Sequence, residues 1–335
     1  MGLPVKPDYS NDDIVNFISK VQTQENDPNV TLCFFGGEPS LEYPSIVSLI
    51  DLVKSSLKSY NLQFVLHTNG LLLNNMPSRL LGDLNIVLVS LNYEKIPKYN
   101  LAKSYFSRII DGVEQLKNQQ DIICVARLTI TEKTSLYTEV LLAHNYFDYI
   151  YWQLENCIIP KDFNSFFDTY TYELKLVFTY WYRYFQKGIL LKYIPFLAIL
   201  KFLFYGQESY NSFVCGYSSS MIYIQTDGGC FSCSDNMESG IHKIGNVADG
   251  VHLPKYSLKS FKCKECSYIS LCQGRCGRMH KEFSNERINQ YCTLNQYMFN
   301  LFLNKNECLL TTLNKYPHMK DEINHWALTH TEYTP

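Results

Sequence analysis

CKECSYISLCQGRC, residues 263–276, is the stretch that decides how the C-terminal third of this chain folds. It carries four of the twelve cysteines in the spacing Cys-x2-Cys-x5-Cys-x3-Cys, and Cys292 follows after fifteen residues. Two thiolates separated by two residues can bind one metal centre from a tight turn, because the short loop brings both sulfurs to one side. We therefore expect this third of the chain to hold metal ions or iron–sulfur clusters.

A second pair of cysteines lies upstream of this stretch. Cys215 and Cys233 flank Gly228 in the spacing Cys-x12-Gly-x4-Cys. Structural zinc also takes four thiolates, so the spacing alone leaves a pair of zinc knuckles open as an alternative to clusters. Disulfides fit less well, because the cysteines are crowded and the N-terminal residues do not resemble an export signal.

Charge and hydrophobicity narrow the class of protein. The 335 residues carry a formal net charge of −2 and no dense block of Lys or Arg, so we expect no nucleic-acid partner. Hydrophobic residues make up 46% of the chain, yet no run of about 18 apolar residues predicts a membrane span. The N-terminus shows no targeting signal. These features predict a globular cytoplasmic protein without a membrane partner.

The first half of the chain alternates between apolar runs and amphipathic stretches. Residues 45–57 and 105–119 carry apolar side chains at helical spacing. Between such helices, short apolar runs read as parallel strands, as in repeated βα units. The predicted strands are 30–35, 62–67, 85–91, 121–130 and 147–155. We expect an α/β sheet or partial (β/α) barrel with at least five strands.

The second half changes character. Residues 162–206 are helical and strongly aromatic, with breaks expected at Pro195 and Gly206, and Asp227-Gly228 predicts a hairpin turn. We divide the chain into four regions. These are a partial barrel (1–160), an aromatic helical connector (161–206), a small cysteine-rich domain with a hairpin and short helices (207–305) and a C-terminal tail (306–335).

Two glycine-containing turns follow predicted strands. Gly36-Gly37-Glu38-Pro39 comes directly after the run VTLCFF, and the turn His67-Thr68-Asn69-Gly70 ends the next strand. A Gly-Gly turn at the carboxyl end of a strand lets the backbone approach a ligand closely. Each turn alone is a weak signal, since such dipeptides usually form turns and nothing more.

The cysteine spacing, together with Ile-Gly-Asn-Val at 244–247, resembles the SPASM domain that follows the catalytic barrel of many radical S-adenosylmethionine enzymes. The resemblance implies two auxiliary [4Fe–4S] clusters with interleaved ligation. One would be held by Cys263, Cys266, Cys272 and Cys292, and the other by Cys215, Cys233 and Cys276. Cys230 and Cys157 are candidates for the missing ligand of the second cluster, which an open iron site would also explain.

The two turns, in this order before a SPASM-like region, resemble the cofactor-binding motifs of radical S-adenosylmethionine barrels. The resemblance implies that the cofactor is bound at Gly36, Gly37, Glu38, Pro39 and Asn69. It also implies contacts from Ser90, at the end of a strand, and from Arg127, whose guanidinium could clamp a carboxylate. An ion pair within the barrel is an equal alternative for Arg127.

The chain departs from this family at the catalytic cluster. It contains no Cys-x3-Cys-x2-Cys motif, and Met1 falls where the loop after that motif would be, so the first barrel strand is also missing. Either Met1 is an internal methionine of a longer reading frame, or the chain is a shortened paralogue. We expect the first, because a barrel without its first strand would expose a strand edge.

Nearly the whole chain resembles an archaeal-type family of peptide-modifying radical S-adenosylmethionine/SPASM enzymes. The resemblance implies hydrogen abstraction from a peptide by a 5′-deoxyadenosyl radical, with electrons from a reductant such as ferredoxin or flavodoxin. Asp235, just past Cys233, could serve as a base, or it could be a solvated loop aspartate. Two other classes stay open: a non-catalytic cluster-bearing subunit for binding or electron transfer, and a zinc-stabilised scaffold.

Overall fold

Two β-sheets organise the protein, one parallel and one antiparallel. The computed structural model describes residues 6–25, 28–91, 101–119, 122–155, 162–206, 213–253 and 262–323. The first sheet has five strands and the second has four, and helices pack around both.

The elements alternate regularly up to the end of the first sheet. In chain order they are α1 (Asn11–Glu25), β1 (Asn29–Phe34), α2 (Tyr43–Ser56), β2 (Asn61–Thr68), α3 (Ser78–Leu81), β3 (Ile86–Leu91), α4 (Leu101–Gln119), β4 (Ile123–Ile130), α5 (Leu136–His144) and β5 (Tyr149–Leu154). The second half is mostly helical. It contains α6 (Phe163–Phe185), α7 (Ile194–Tyr205), β6 (Tyr223–Ile224), β7 (Gly229–Phe231), β8 (Lys243–Asn246), β9 (Gly250–Val251), α8 (Ile269–Cys272), α9 (Gly277–Glu282), α10 (Asn285–Leu303), α11 (Asn306–Lys315) and α12 (His318–Ile323).

The first sheet is wholly parallel, with the strand order β1-β2-β3-β4-β5. Each of the five apolar runs identified in the sequence forms one of its strands, so the predicted α/β class is confirmed. β1 is an edge strand, paired with β2 only. Consecutive parallel strands need a crossover connection, and the intervening helices supply it.

The aromatic connector does not stand apart from the sheet. α6 and α7 share one hydrophobic core with the sheet and with α10. Trp181 is fully buried at the centre of this packing, 5.5 Å between ring centroids from both Phe196 and Phe302. Its indole Nε1 donates a hydrogen bond to the carbonyl oxygen of Leu191 at 3.0 Å, which satisfies the one polar atom of the buried ring. The aromatic residues here are packing residues.

The second sheet grows from the predicted hairpin. β6 and β7 pair antiparallel across the turn at Asp227-Gly228, and β8 and β9 extend the sheet. Gly228 has a φ of +79°, and the Asp227 carboxylate accepts a hydrogen bond from the Gly229 amide at 2.9 Å. In β8, a side-chain carbon added at Gly245 would lie 2.1 Å from the Gly250 carbonyl oxygen. Only glycine fits at that close approach of the two strands.

The N-terminal helix links the two sheets. Ile14 and Phe17 of α1 pack against the second sheet at Val247, while α1 also lies against α2. The amide of Asp8 donates to the carbonyl oxygen of Thr226 at 2.8 Å. These contacts join the predicted barrel region to the predicted cysteine-rich region. The division of the chain into four regions stays a prediction. Within the described parts of the chain, no helix is long and apolar enough to cross a lipid bilayer.

Candidate functional site

Four of the predicted cluster ligands come from three segments that fold against one another. Cys263 and Cys266 lie in and just after a short 3-10 turn, Lys262–Glu265. Cys272 is the last residue of α8, and Cys292 lies in the first half of α10. The Cys266 amide donates to the Cys263 carbonyl at 3.0 Å, which closes the turn that carries the first pair.

The four thiols interact electrostatically as one set. Burial raises the pKa of Cys272 to about 12 and that of Cys263 to about 11, and it also raises the pKa of Cys292. Neighbouring thiols add to each of these shifts, and every pair among the four takes part. Among the described residues, no other cysteine contributes to these pKa shifts. We call Cys263, Cys266, Cys272 and Cys292 the four-thiol set.

The chemistry of the four thiols fits an iron–sulfur cluster. Four thiolates are the donor set of a [4Fe–4S] cluster, whose iron would deprotonate the buried thiols on binding. Structural zinc also takes four thiolates, so the donor set is compatible with both. Among the described residues, no group of three or more His, Cys, Asp or Glu side chains is placed to hold one metal ion.

A histidine that sequence reasoning missed lies beside these thiols. His280 Nε2 is 3.7 Å from Cys263 Sγ and 3.0 Å from the carbonyl oxygen of Gly274. The carbonyl is the stronger acceptor, so the imidazole N–H donates to it while the ring contacts the thiol. Burial lowers the pKa of His280. The one sequence signal for this residue is its helical spacing after Cys276, which is too common to be specific.

Two of the other three predicted ligands pack beside Tyr217, and the third, Cys276, packs against the main core. Cys215 and Cys233 both pack against the small apolar cluster that contains this tyrosine. Cys276 precedes Gly277, where an added side-chain carbon would come within 2.2 Å of the Tyr217 ring. The loop at Cys276 therefore runs directly against the ring, and any residue larger than glycine would displace it.

The two candidates for an extra ligand differ. Cys230 is fully buried on β7 against Ile14 and Phe17, in an apolar cluster that contains none of the seven other candidates. Burial raises its pKa to about 12, and its thiol lies 3.7 Å from the Gly228 carbonyl oxygen. These are the surroundings of a packing residue. Cys157 lies outside the described residues.

Glu38 braces the predicted cofactor loop against the end of β2. Its Oε1 accepts hydrogen bonds from the Ser40 amide at 3.1 Å, the Ser40 hydroxyl at 2.6 Å and the Thr68 hydroxyl at 2.6 Å. Its Oε2 accepts from the Asn69 amide at 2.7 Å. Burial raises the pKa of Glu38, but these hydrogen bonds outweigh it and the net shift is downward. Both glycine-containing turns are therefore fixed by one carboxylate.

The glycines beside Glu38 leave room for a ligand. In the described part of the chain, a side-chain carbon added at Gly36 or Gly37 would meet no atom within 4 Å. Gly36 has a φ of +108°, which residues with a side chain rarely adopt. Pro39 opens a 3-10 turn, Pro39–Glu42, that leads away from this space. The open backbone next to a rigid carboxylate fits the approach of a charged cofactor such as S-adenosylmethionine.

Polar side chains from neighbouring strands meet on one face of the first sheet. His67 Nε2 and Ser90 Oγ are 3.0 Å apart, and Ser90 is paired in register with Arg127 on β4. Arg127 Nη2 donates to Gln153 Oε1 on β5 at 2.9 Å. Among the described residues this guanidinium forms no ion pair. The Gln153 amide takes the place of the carboxylate that the ion-pair alternative predicted. The exposed ring of Phe35 covers His67 at 5.0 Å between centroids.

His67 makes the stability of the protein depend on pH. Burial, then the nearby Arg127 charge, lowers its pKa from 6.5 to about 4, although Glu38 opposes the shift. The unfolded chain therefore binds a proton at higher pH than the folded chain does. The resulting stability is present above pH 6.5 and is lost as the pH falls toward 4.

Between pH 7 and pH 5 the free energy of unfolding of the wild type should fall. We expect the fall to be about 1 to 2 kcal/mol smaller in His67→Gln, because this variant lacks the linked proton. Urea unfolding at the two pH values measures the difference. His318→Asn, at an exposed histidine, is the matched control and should keep the wild-type slope. An unchanged slope in His67→Gln would contradict the assignment.

Asp235 is held at the end of a chain of polar contacts that begins at Tyr217. The Tyr217 hydroxyl is 2.9 Å from His242 Nδ1, and His242 Nε2 is 2.5 Å from Glu282 Oε1. Arg278 Nε donates to Glu282 Oε2 at 2.9 Å, and its Nη1 donates to Asp235 Oδ2 at 2.9 Å. Burial raises the pKa of Glu282, but its hydrogen bonds outweigh burial and lower it overall. Asp235 is therefore a positioned carboxylate, not a loose loop residue.

Solved structures show the fold to which this arrangement belongs. No protein-family model matches the chain. The enzyme anSMEcpe, solved with bound AdoMet and a Cp18Cys peptide, superposes with a TM-score of 0.71 over 92% of each chain, at 20% sequence identity. The chain thus has the fold of anSMEcpe.

Two curated relatives agree. The chain is 24% identical over 347 aligned positions to the cysteine-type anaerobic sulfatase-maturating enzyme of Clostridium novyi (strain NT), covering 90% of this chain and 87% of that protein. It is also 24% identical over 311 positions to the radical SAM cyclopropyl synthase TigE of Paramaledivibacter caminithermalis. That alignment covers 81% of this chain and 60% of that protein. The resemblance to radical S-adenosylmethionine/SPASM enzymes read from the sequence is confirmed.

Proposed function

We propose that this chain binds S-adenosylmethionine and two auxiliary [4Fe–4S] clusters, and that it serves the modification of a peptide substrate. The observation that carries the proposal is the meeting of four thiols from three segments, in the same fold as a Glu38-braced glycine loop. A relative named as a sulfatase-maturating enzyme, matched along 90% of this chain, supports a peptide or protein as the substrate.

The cofactor site would be shaped mainly by backbone. Once bound and reductively cleaved, S-adenosylmethionine supplies hydrogen-abstracting chemistry that side chains cannot supply. Gly36 and Gly37 would approach it through their open backbone, because Glu38 already accepts four hydrogen bonds from the protein. Glu38 would act as a positioning residue. Ser90 and Arg127, on the adjoining sheet face, would contact the polar parts of the cofactor.

Asp235 is the base that we propose for proton removal from the oxidised peptide. Its side chain is about half exposed, so a substrate can reach it, while Arg278 is largely buried and holds its carboxylate in place. Cys233 lies two residues before Asp235 in the chain, which would place proton removal next to the cluster of Cys215, Cys233 and Cys276. An electron leaving the peptide would then have a nearby acceptor.

A second candidate function rests on one fact of the sequence. The 335 residues contain no Cys-x3-Cys-x2-Cys motif, the ligand set of the catalytic cluster in this family. A chain of this length could then serve as a cluster-bearing subunit that binds the peptide or passes electrons to a complete enzyme. The glycine loop argues against this role, because an electron-transfer subunit has no need of a cofactor cradle.

The release of 5′-deoxyadenosine separates the two functions. The 335-residue chain, with S-adenosylmethionine and dithionite, should release none. The same chain extended by in-frame codons upstream of Met1 should release 5′-deoxyadenosine, measured by chromatography with mass detection, if those codons encode the motif. A stop codon directly before Met1 would favour the subunit, and release by the 335-residue chain would refute the need for the missing motif.

A further inference from the structure

A buried cation lies near the predicted ligands Cys272 and Cys292. Arg275 stands between Cys272 and Cys276 in the sequence and exposes only 6% of its surface. Burying a guanidinium is costly unless negative charge lies nearby. The four-thiolate set is such a charge once a cluster is bound, and Arg275 borders it.

The backbone at this arginine is strained. Gln273, Gly274 and Arg275 have φ values of 47°, 74° and 57°, three left-handed residues in a row. Glycine adopts this conformation freely, whereas a residue with a side chain rarely does. Strain of this kind persists where the surrounding structure needs the residue. The presence of arginine where glycine would fit best therefore indicates a requirement for its side chain.

The guanidinium is fixed by its neighbours. Its central carbon lies 4.4 Å from the centroid of the Tyr291 ring, and its Nη1 is 3.8 Å from the Met279 sulfur. The Tyr291 hydroxyl donates to the carbonyl oxygen of Glu155 at 2.6 Å, so the ring itself is anchored to the end of the parallel sheet. Tyr291 directly precedes Cys292. A cation–π contact thus holds the positive charge next to a cluster ligand.

Arg275 lies within electrostatic reach of two of the predicted ligands. Its charge acts on Cys272 and on Cys292. A positive charge in this place favours the more negative state of any cluster that the two thiolates hold.

We propose that Arg275 is the counter-cation of the cluster held by Cys263, Cys266, Cys272 and Cys292, and that it raises the reduction potential of this cluster. The inference rests on the proposed function, which supplies the clusters. Reduction adds one electron from a one-electron donor, such as dithionite, to the cluster and leaves its net charge one unit more negative. No bond breaks and no proton moves, so the nearby cation stabilises the reduced state directly.

A redox titration monitored by electron paramagnetic resonance tests this on the anaerobically purified, cluster-loaded chain. In Arg275→Gln, the equilibrium constant for reduction of one cluster should fall at least tenfold, which is ~59 mV for a one-electron couple. Arg275→Lys should retain most of the wild-type potential. Arg275→Gly relieves the left-handed strain while removing the charge, so it should fold and show the same fall as Arg275→Gln.

Arg287→Gln is the matched control. Arg287 also lies over an aromatic ring, 3.8 Å from the centroid of Phe283, and it contributes to none of the thiol pKa shifts. Its substitution removes the same charge and should leave both potentials unchanged. Loss of one cluster in Arg275→Gln and Arg275→Gly, with both clusters retained in Arg275→Lys, would also support the need for a positive charge at this position.

The possible failures are distinguishable. Wild-type protein without iron or sulfide would overturn the proposed function and the inference with it. Wild-type potentials in Arg275→Gln and Arg275→Gly, with both clusters present, would overturn the inference alone. A shift of equal size in Arg287→Gln, or cluster loss in Arg275→Lys, would show that the effect does not come from the charge at this position.

Discussion

Replacing Cys272 by serine is expected to remove one of the two clusters and about half of the bound iron, since each cluster holds the same number of irons. Cys272 is partly buried, and it interacts with the other three thiols of its set. A serine hydroxyl is not deprotonated at neutral pH and is a poor ligand for iron, so the set would lose its fourth thiolate. Iron and acid-labile sulfide, measured per chain after anaerobic reconstitution, report the result.

Two further substitutions sharpen this experiment. Cys308→Ser, at an exposed thiol on α11, should leave the iron content unchanged. Cys230→Ser tests the candidate extra ligand, and we expect full iron content because Cys230 packs against α1. Undiminished iron in Cys272→Ser, or an equal loss in Cys308→Ser, would show that the four-thiol set is not a cluster site.

Glu38→Gln is expected to weaken S-adenosylmethionine binding at least tenfold and to destabilise the fold. An amide keeps one acceptor oxygen but replaces the other with a donor, which would face either the Asn69 amide or the hydroxyls of Ser40 and Thr68. Ser40 and Thr68 are buried, and leaving their donors unpaired costs about 2 kcal/mol. The two glycine turns would then lose their common brace, and the cradle would no longer be preorganised.

Equilibrium dialysis with labelled S-adenosylmethionine measures the affinity, and urea unfolding measures the stability. Glu42→Gln is the matched control, because Glu42 lies on the same 3-10 turn and contacts only the Ser45 hydroxyl, at 3.1 Å. We expect it to behave like the wild type. Equal affinities for wild type and Glu38→Gln would remove Glu38 from the cofactor site.

The parallel sheet was predictable from the sequence because strands such as β3 and β5 are buried on both faces. Runs such as 85–91 are almost entirely apolar, and they are separated by segments with helical periodicity. The hairpin at Asp227-Gly228 was predictable for another reason, since its turn chemistry is local. The meeting of the four thiols was predicted only through the resemblance to SPASM domains. Spacing alone could not separate Cys272 from Cys276.

Contacts between distant segments account for what the sequence did not predict. No local sequence signal predicts that His242 joins Tyr217 to Glu282, because the three residues come from different parts of the chain. Arg275 reads in the sequence as an ordinary loop residue. Its function depends on burial, on a left-handed backbone and on a ring sixteen positions away, all of which require the folded chain.

The proposed function depends on two auxiliary [4Fe–4S] clusters bound to this chain. Metal and acid-labile sulfide analysis of anaerobically purified protein, combined with its visible absorption spectrum, decides whether they are present. We expect about eight irons and a matching amount of sulfide per chain, with the broad charge-transfer absorption of iron–sulfur clusters. Zinc bound in place of iron, with no sulfide and no visible absorption, would contradict this expectation.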